Sequence, residues 1–422
     1  MNEPIFDILI VGGGASGMMA ALEARRNGPA LRIGVLERMN RVGKKLMATG
    51  NGRCNLTNLN AAPERYHGDV PFMERAMAAF PPRAVLDRFE EYGVYPLVEE
   101  GGKVYPMSEQ ASSVLDALRL SMEEADIAEL CDFEAASLKN ERGVWQIKST
   151  SGETARARRV IMACGGLTAP NLGGSASGYR LLEALGHTVT PRLPALVQLK
   201  TDVSPIRALK GIKYTGEISL LVGGRVQRSE SGEVLFTEYG LSGPPVLQLS
   251  RIAAQALSRR NPQPVAARLH ILPMSRDEAL ELLERRIKTL RERPLENFLT
   301  GLVNKRLGQT LVKRATDLPL SAPSGEMTGE ALAELAGLLT GWEIAVTGTQ
   351  GFDQAQVTAG GVRTSDVEPD TMASRLAPGL YITGEVLNID GDCGGFNLQW
   401  AWASGMLAGQ SAARSLTGEK HA

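Results

Sequence analysis

Apolar and polar positions along the first forty residues fall into two alternating patterns. Residues 5 to 11, IFDILIV, are a short run rich in branched apolar side chains, which the spacing predicts as a buried strand. The run stops at GGGASG, and MMAALEARRNG follows with the alanine-rich pattern of a helix. RIGVLER then repeats the buried-strand pattern, so the segment predicts a β-α-β unit with parallel strands and a right-handed crossover. Residues 72 to 92 and 110 to 125 are predicted helical. CDFEAASLKNERGVWQIKSTSGETARARRVIMACGG alternates as a small antiparallel set with turns at NERG and SGE, and its RVIMA segment predicts a strand returning to the parallel sheet.

The pattern changes near residue 191. Prolines at 191, 194 and 205 precede alternating segments such as YTGEISLLVGGRVQR, which predict a β-rich inserted module with hairpins at Gly223-Gly224 and near Gly232. Residues 275 to 315 switch to amphipathic helix, opened by a capping-box pair, Ser275 and Glu278. Arginines and lysines are dense there; interleaved glutamates favour a solvated helix surface over a phosphate-binding face. APGLYITGEV predicts one more strand, and FNLQWAWASGMLAGQSAARSL a closing helix. The expected fold is α/β: a discontinuous Rossmann-type domain over 1–190 and 351–422, interrupted by an inserted domain over 191–350. That insertion is expected to be β-rich over 191–272 and about 335–350, with a helical subdomain over 275–334.

Composition narrows the partners. With 422 residues and 43% hydrophobic content the chain can bury more than one core. Lys plus Arg (46) nearly cancels Asp plus Glu (47), so no general attraction to nucleic acid or an anionic membrane is implied, and a small-molecule substrate is expected. No apolar run is long enough to span a bilayer, and a strand-like N-terminus without signal-peptide features predicts a cytoplasmic location. Cys54, Cys131, Cys164 and Cys393 lie far apart, with no CxxC pair, so reduced thiols and no metal site are expected. Oligomeric state is not readable from these features.

Gly12, Gly14 and Gly17 fit G-x-G-x-x-G between strand and helix, the context that gives the pattern meaning. Gly12 permits the tight turn, Gly14 lets a pyrophosphate approach, and Gly17 lets helix and strand pack closely, while Ala15 and Ser16 open the helix with free N–H donors. Glu37, at the end of the second strand, is placed to accept ribose hydroxyls and would repel a 2′-phosphate, which points to FAD or NAD. Further segments favour FAD, a long cofactor needing several parts of the chain. They are the strand-end turn Ala163, Cys164, Gly165; the YITGE turn with Gly384 and Glu385; and the final helix at Phe396 and Asn397, whose dipole can stabilise an anionic reduced flavin. The polar stretch MATGNGRCNLTN follows Glu37, where Asn51, Arg53, Asn55 and Thr57 offer donors to an extended cofactor. Lys44 and Lys45 either face the cofactor or are ordinary surface lysines. Arg38 and Phe133 complete the expected cofactor lining.

GGGASGMMAA, GKKLMATGNGRCNLTN, GKVYPMSEQASSVLDAL, LFTEYGLSGPPVLQLS, VTAGGV and GLYITGEVLNIDGDCGGFNLQWAWASG together resemble one flavoprotein family over nearly the whole chain. That family includes YhiN-type proteins, aminoacetone-oxidase-like FAD-binding enzymes and BaiN-type bile-acid-related reductases. The resemblance implies bound FAD, with Gly14, Ser16, Glu37, Asn51, Arg53 and the Gly395 to Leu398 turn at matching positions. Three positions depart from the family pattern: Glu238 stands where many relatives carry histidine, Asn388 where aspartate is common, and GGSASGY lacks the aspartate of a TGDGY-like turn.

The function expected is an FAD-dependent oxidoreductase moving a hydride between flavin and a small organic molecule, with NAD(P)H or dioxygen as the other partner. Glu238, Tyr239, Tyr105 and Cys393 are candidates for catalysis; half-buried core tyrosines and a small thiol packed on the cofactor are the plain alternatives. A flavin-bound sensor without turnover is the second reading, and RNA-directed flavin chemistry through the basic helical segment the third.

Overall fold

The computed structural model describes residues 5–418. Contacts divide the chain into two compact units, one running to Arg192 and resuming at Val357, the other Leu193–Gln356.

The first unit is built on a seven-stranded sheet. Phe6–Val11 pairs in parallel with Ile33–Leu36 on one side and with Thr154–Met162 on the other, and Ala128–Leu130 extends the sheet beyond Ile33–Leu36. The run before Gly12 is almost wholly buried in the middle of the sheet, which is why it reads as continuous apolar residues rather than alternating ones. Thr154–Met162 serves two partners along one edge. Its first half pairs antiparallel with Val144–Ser149, and its second half pairs in parallel with Leu380–Ile382. The expected antiparallel set and the expected returning strand are thus one strand.

Helix α1 (Ala15–Asn27) follows the first strand. The segment expected as one helix over 72–92 is two, α2 (Val70–Ala79) and α3 (Pro82–Glu91), because the adjacent Pro81 and Pro82 interrupt the helical N–H series. Helices α4 (Ala111–Glu124) and α5 (Ser177–Ala184) follow.

The second unit holds a closed six-stranded antiparallel barrel: Leu199–Thr201, Gly240–Ser242, Arg225–Phe236, Lys213–Val222, Val265–His270 and Trp342–Thr349, the last pairing back to the first. A hairpin turns at Gly223-Gly224, as the sequence predicts, but none turns near Gly232. That glycine lies inside Arg225–Phe236, opposite Gly216, where a Cβ would come 3.3 Å from Pro245. Helix α6 (Pro244–Leu257) and then three more accompany the barrel: α7 (Arg276–Leu290), α8 (Lys305–Ala315) and α9 (Gly329–Gly341). The Ser275–Glu278 capping box forms in both directions, and the helical segment continues to Gly341 rather than yielding to strand near 335.

The closing helix α10 (Phe396–Thr417) returns to the first unit and lies along α1. A Cβ on Gly405 would sit 2.4 Å from Ser16 O and one on Gly409 2.1 Å from Ala20 O, so glycine at these two positions is what lets the helices approach.

Candidate functional site

The site lies at the carboxyl ends of the parallel strands, where an open α/β sheet presents its loops. The first loop is a tight glycine turn. A Cβ on Gly12 would meet Ala163 O at 2.4 Å and one on Gly17 would meet Gly12 O at 1.9 Å, whereas one on Gly14 would meet nothing within 4 Å. Gly12 and Gly17 therefore serve packing, and Gly14 leaves open approach to the start of α1. No side chain caps α1, so the N–H groups at Ala15 and Ser16 remain available to an anion.

Glu37 is buried beside this turn. Its Oε2 accepts from Gly13 N at 2.9 Å and its Oε1 from Met39 N at 2.8 Å. Burial pushes its carboxyl above the usual glutamate range, against those two N–H bonds and the Arg38 charge. A narrow cleft here is bordered by Gly12, Glu37, Arg38, Phe133, Cys164 and Ser175. Phe133 N donates to Glu37 O, and Arg38 Nη1 reaches Gly173 O and Gly174 O at 3.4 and 3.3 Å. Ala163 N donates to Val11 O, and Gly165, at φ +67°, leaves the space above it free of side chain.

A second polar group ties the loops together. Lys45 Nζ donates to Thr168 Oγ1 at 2.6 Å and to Glu385 Oε2 at 2.8 Å, while Glu385 Oε1 accepts from Thr358 N at 2.8 Å. Gly384 sits against Ser16, where a Cβ would come 2.6 Å from the hydroxyl. Thr383 Oγ1 and Gly384 N both donate to Ser404 Oγ of α10, and Trp400 Nε1 donates to Gly384 O. The starts of α1 and α10 and the YITGE turn are thereby one assembly.

The stretch MATGNGRCNLTN is wound into short 3-10 turns rather than extended. Gly50 and Asn51 are both left-handed, at φ +57° and +56°, and Cys54 and Leu56 are fully buried. Its polar side chains mostly hold the protein itself, which departs from their expected use as cofactor donors. Arg53 pairs with Glu99 and Glu109 and stacks 4.0 Å over the Tyr105 ring. Thr57 Oγ1 donates to Gln399 Oε1 at 2.6 Å, and the Asn55 amide, oriented to suit its neighbours, donates to Thr57 O and Val104 O and accepts from Gly395 N. Asn51 alone stays exposed.

At the start of α10, Gly395 adopts φ +98°, and a Cβ there would meet Thr57 O at 2.4 Å. Phe396 is buried edge-on to Tyr66, and Leu398 is half-buried. Asn397 fastens the entering turn, donating to Gly391 O and Asp392 O and accepting from Gly391 N. N–H groups of the first turn, where the sequence reading places the favourable end of the helix dipole, remain available, since no side chain caps the helix. In the same turn Asp392 is buried, with His67 Nε2 3.0 Å and Arg65 Nη1 3.7 Å from its carboxylate.

The four catalytic candidates fall in two different units. Tyr105 and Cys393 belong to the first unit, and burial raises both above their usual range, so each keeps its proton at neutral pH. Glu238 and Tyr239 belong to the second unit, where Glu238 is exposed and held below the usual range by Lys210. Thr168, Thr358, His67 and Asp392 were not singled out from the sequence. Thr168 and Thr358 flank glycine turns in GGLTAP and VTAGG, the one signal they carry; His67 and Asp392 become partners only through antiparallel pairing of Tyr66–Gly68 with Ile389–Gly391.

Residues 6–411 match the model of the HI0933-like protein Rossmann domain. The chain belongs to the HI0933-like family. Within that reach it is 38% identical over 406 residues to a 3-dehydro-bile acid delta(4,6)-reductase of Clostridium scindens, covering 96% of this chain and 98% of that protein. It is 31% identical over 413 residues to a ribosomal RNA dihydrouridine synthase of Escherichia coli, covering 96% and 97%. The solved structure of a 3-ketosteroid-delta4-(5alpha)-dehydrogenase from Rhodococcus jostii RHA1 is 16% identical, with TM-score 0.48 and 97% of each chain covered. As an HI0933-like protein the chain is an FAD-dependent oxidoreductase of Rossmann type. The residues present fit FAD: an open Gly14 approach, an uncapped α1, a buried carboxylate at the end of the second strand and an uncapped α10. No helix of the described residues is long and apolar enough to cross a membrane.

Proposed function

We propose that this protein reduces a carbon–carbon double bond conjugated to a carbonyl, on a steroid-like 3-oxo substrate, with NAD(P)H as the source of electrons. The observation that carries this reading is the 38% identity, across nearly both whole chains, to a protein named for reduction at the 4 and 6 positions of a 3-dehydro-bile acid. When bound, FAD supplies hydride transfer at its ring system. The N–H groups of Gly14 to Ser16 would hold its diphosphate, Glu37 would accept from a ribose, and the first turn of α10 from Gly395 to Leu398 would favour negative charge on the ring. Hydride addition to an enone leaves an enolate that needs a proton, and Tyr105 and Cys393, both kept protonated by burial, are the candidate donors.

A second reading is favoured by the relative named as a ribosomal RNA dihydrouridine synthase, because saturating uracil also reduces a double bond conjugated to a carbonyl. The test supplies NADPH or NADH anaerobically to the yellow protein, then either a 3-oxo-4,6-diene bile acid or unmodified ribosomal RNA. Bleaching followed by a product two mass units heavier from the bile acid supports the first reading. Hydrogen added to uridine alone supports the second, and turnover of neither by protein that bleaches normally would leave both untenable. Replacing Glu37 by arginine is expected to weaken FAD retention at least tenfold; full occupancy would contradict its ribose assignment.

A further inference from the structure

The basic segment that the sequence presents as a solvated surface divides in two. On α7 the arginines have protein partners: Arg276 donates to Ala333 O at 3.2 Å, Arg285 lies 3.8 Å from Glu281, and Arg286 donates to Phe298 O at 2.6 Å and to Thr300 O. On α8 they do not. Arg306 and Lys313, and Arg207 from the short turn Arg207–Leu209, line a cleft of about 520 Å³ within the second unit and have no ion pair among the described residues. Arg314 completes the set. Its guanidinium is propped 5.5 Å over the Trp342 ring.

Arg306, Thr310, Lys313 and Arg314 recur at helical spacing, so they share one face of α8. The nearby carboxylate is Asp202. Its Oδ1 takes Ser204 N at 2.9 Å and Ser204 Oγ at 2.7 Å; these bonds, and then the field of Arg314, hold it below the usual aspartate range. One carboxylate against four cations leaves the cleft strongly positive in a chain of net charge −1. Such a concentration of like charge disfavours itself unless an anion answers it. The apolar lining is only Pro205 and Ala208, with no aromatic ring to stack on a base, so the cleft is suited to grip charge rather than to read a heterocycle.

We propose that this cleft binds a phosphate-bearing ligand through two of its phosphate groups. Arg306 and Lys313 are separated by about 10 Å of helix rise, at ~1.5 Å per residue, which suits two linked phosphates better than one. Guanidinium forks from Arg207, Arg306 and Arg314 match phosphate oxygens. A free diphosphate and a phosphodiester chain share this chemistry.

The experiment compares the full-length protein with Arg306→Gln/Lys313→Gln, using inorganic pyrophosphate, ADP and a short fluorescein-labelled single-stranded RNA as probes at low salt. Both positions are exposed, and unchanged far-UV circular dichroism together with full FAD absorbance establishes an intact variant. Binding to wild type should weaken at least tenfold in the variant. Pyrophosphate and ADP alone would identify a free diphosphate. RNA binding whose log K against log [salt] slope is shallower by about 2 in the variant would identify a chain backbone. No binding of any probe to wild type, or equal binding by an intact variant, overturns the proposal. The flavin spectrum and enone turnover are read separately, so failure here leaves the proposed reductase activity standing.

Discussion

Lys45 Nζ lies 2.8 Å from Glu385 Oε2, joining residues 340 positions apart in the sequence. Through Thr168 and Thr358 the pair reaches two further loops, so it fastens the carboxyl ends of strands that share no hydrogen-bonded turn. Lys45→Met leaves Glu385 with the Thr358 N–H on its other oxygen. The expected cost is about 1–2 kcal/mol of urea-unfolding stability, moderated because both side chains are partly solvated, with faster loss of FAD on dialysis. Lys45→Arg should recover most of both, and a Met variant indistinguishable from wild type would remove the pair from any fastening role.

Glycine at 405 and 409 is a packing requirement, and the sign of its replacement is diagnostic. In an exposed helix, alanine for glycine would stabilise by about 1 kcal/mol. Here a Cβ meets Ser16 O or Ala20 O at 2.4 and 2.1 Å, so α1 must move away from α10. Gly405→Ala is expected to destabilise by about 1–3 kcal/mol and to lower FAD affinity, since Ser16 stands at the cofactor end of α1. Thermal unfolding with and without added FAD measures both, and a raised melting temperature would disprove the close contact.

Burial raises the Glu37 carboxyl in the folded state, so the folded protein holds that proton to higher pH than the unfolded chain does. Its contribution to stability is therefore present at low pH and declines as pH rises from the ordinary glutamate range through the folded pKa, then levels off. Glu37→Gln cannot titrate. For FAD-free protein, the stability of wild type relative to Glu37→Gln should fall as pH rises from the ordinary glutamate range, about pH 4, over the interval in which the folded carboxyl loses its proton. A difference that rises over that interval would mean the two N–H bonds outweigh burial.

Cys54 is fully buried, and burial pushes its thiol up to about 12. A thiolate is the reactive form, so at pH 8 Cys54 should resist iodoacetamide until the protein unfolds, as mass spectrometry of the peptide will show. Cys54→Ser should leave flavin reduction rates within about twofold, because a thiol held protonated has no part in disulfide exchange. Rapid labelling of the native protein, or loss of reduction in the serine variant, would instead give Cys54 a redox role.

Several features were legible because they depend on neighbours in sequence. IFDILIV, the glycine fingerprint, Glu37, the Ser275–Glu278 box and the Gly223-Gly224 hairpin each express a local rule: an apolar run, a turn needing glycine, a cap three residues away. Where two local rules competed the reading slipped. Pro81 and Pro82 divide an otherwise continuous helical pattern, and Gly232, which reads as a turn, lies within a strand where a Cβ would press on the ring of Pro245.

By itself the sequence determined the kinds of element and the cradle for a dinucleotide, since strand and helix periodicity and the Gly12 to Gly17 spacing are properties of a short stretch of chain. Only the tertiary structure decided which polar groups are left for a ligand. Arg53, Thr57 and Asn397 look like donors in a list of residues, but Glu99 and Glu109, Gln399, and the turn at Gly391 reach them first. It alone also set Lys45 against Glu385, His67 against Asp392 and Arg207 across from α8. Hydrogen bonds and ion pairs act over a few ångströms of space and are indifferent to separation along the chain, so no window of sequence contains both partners.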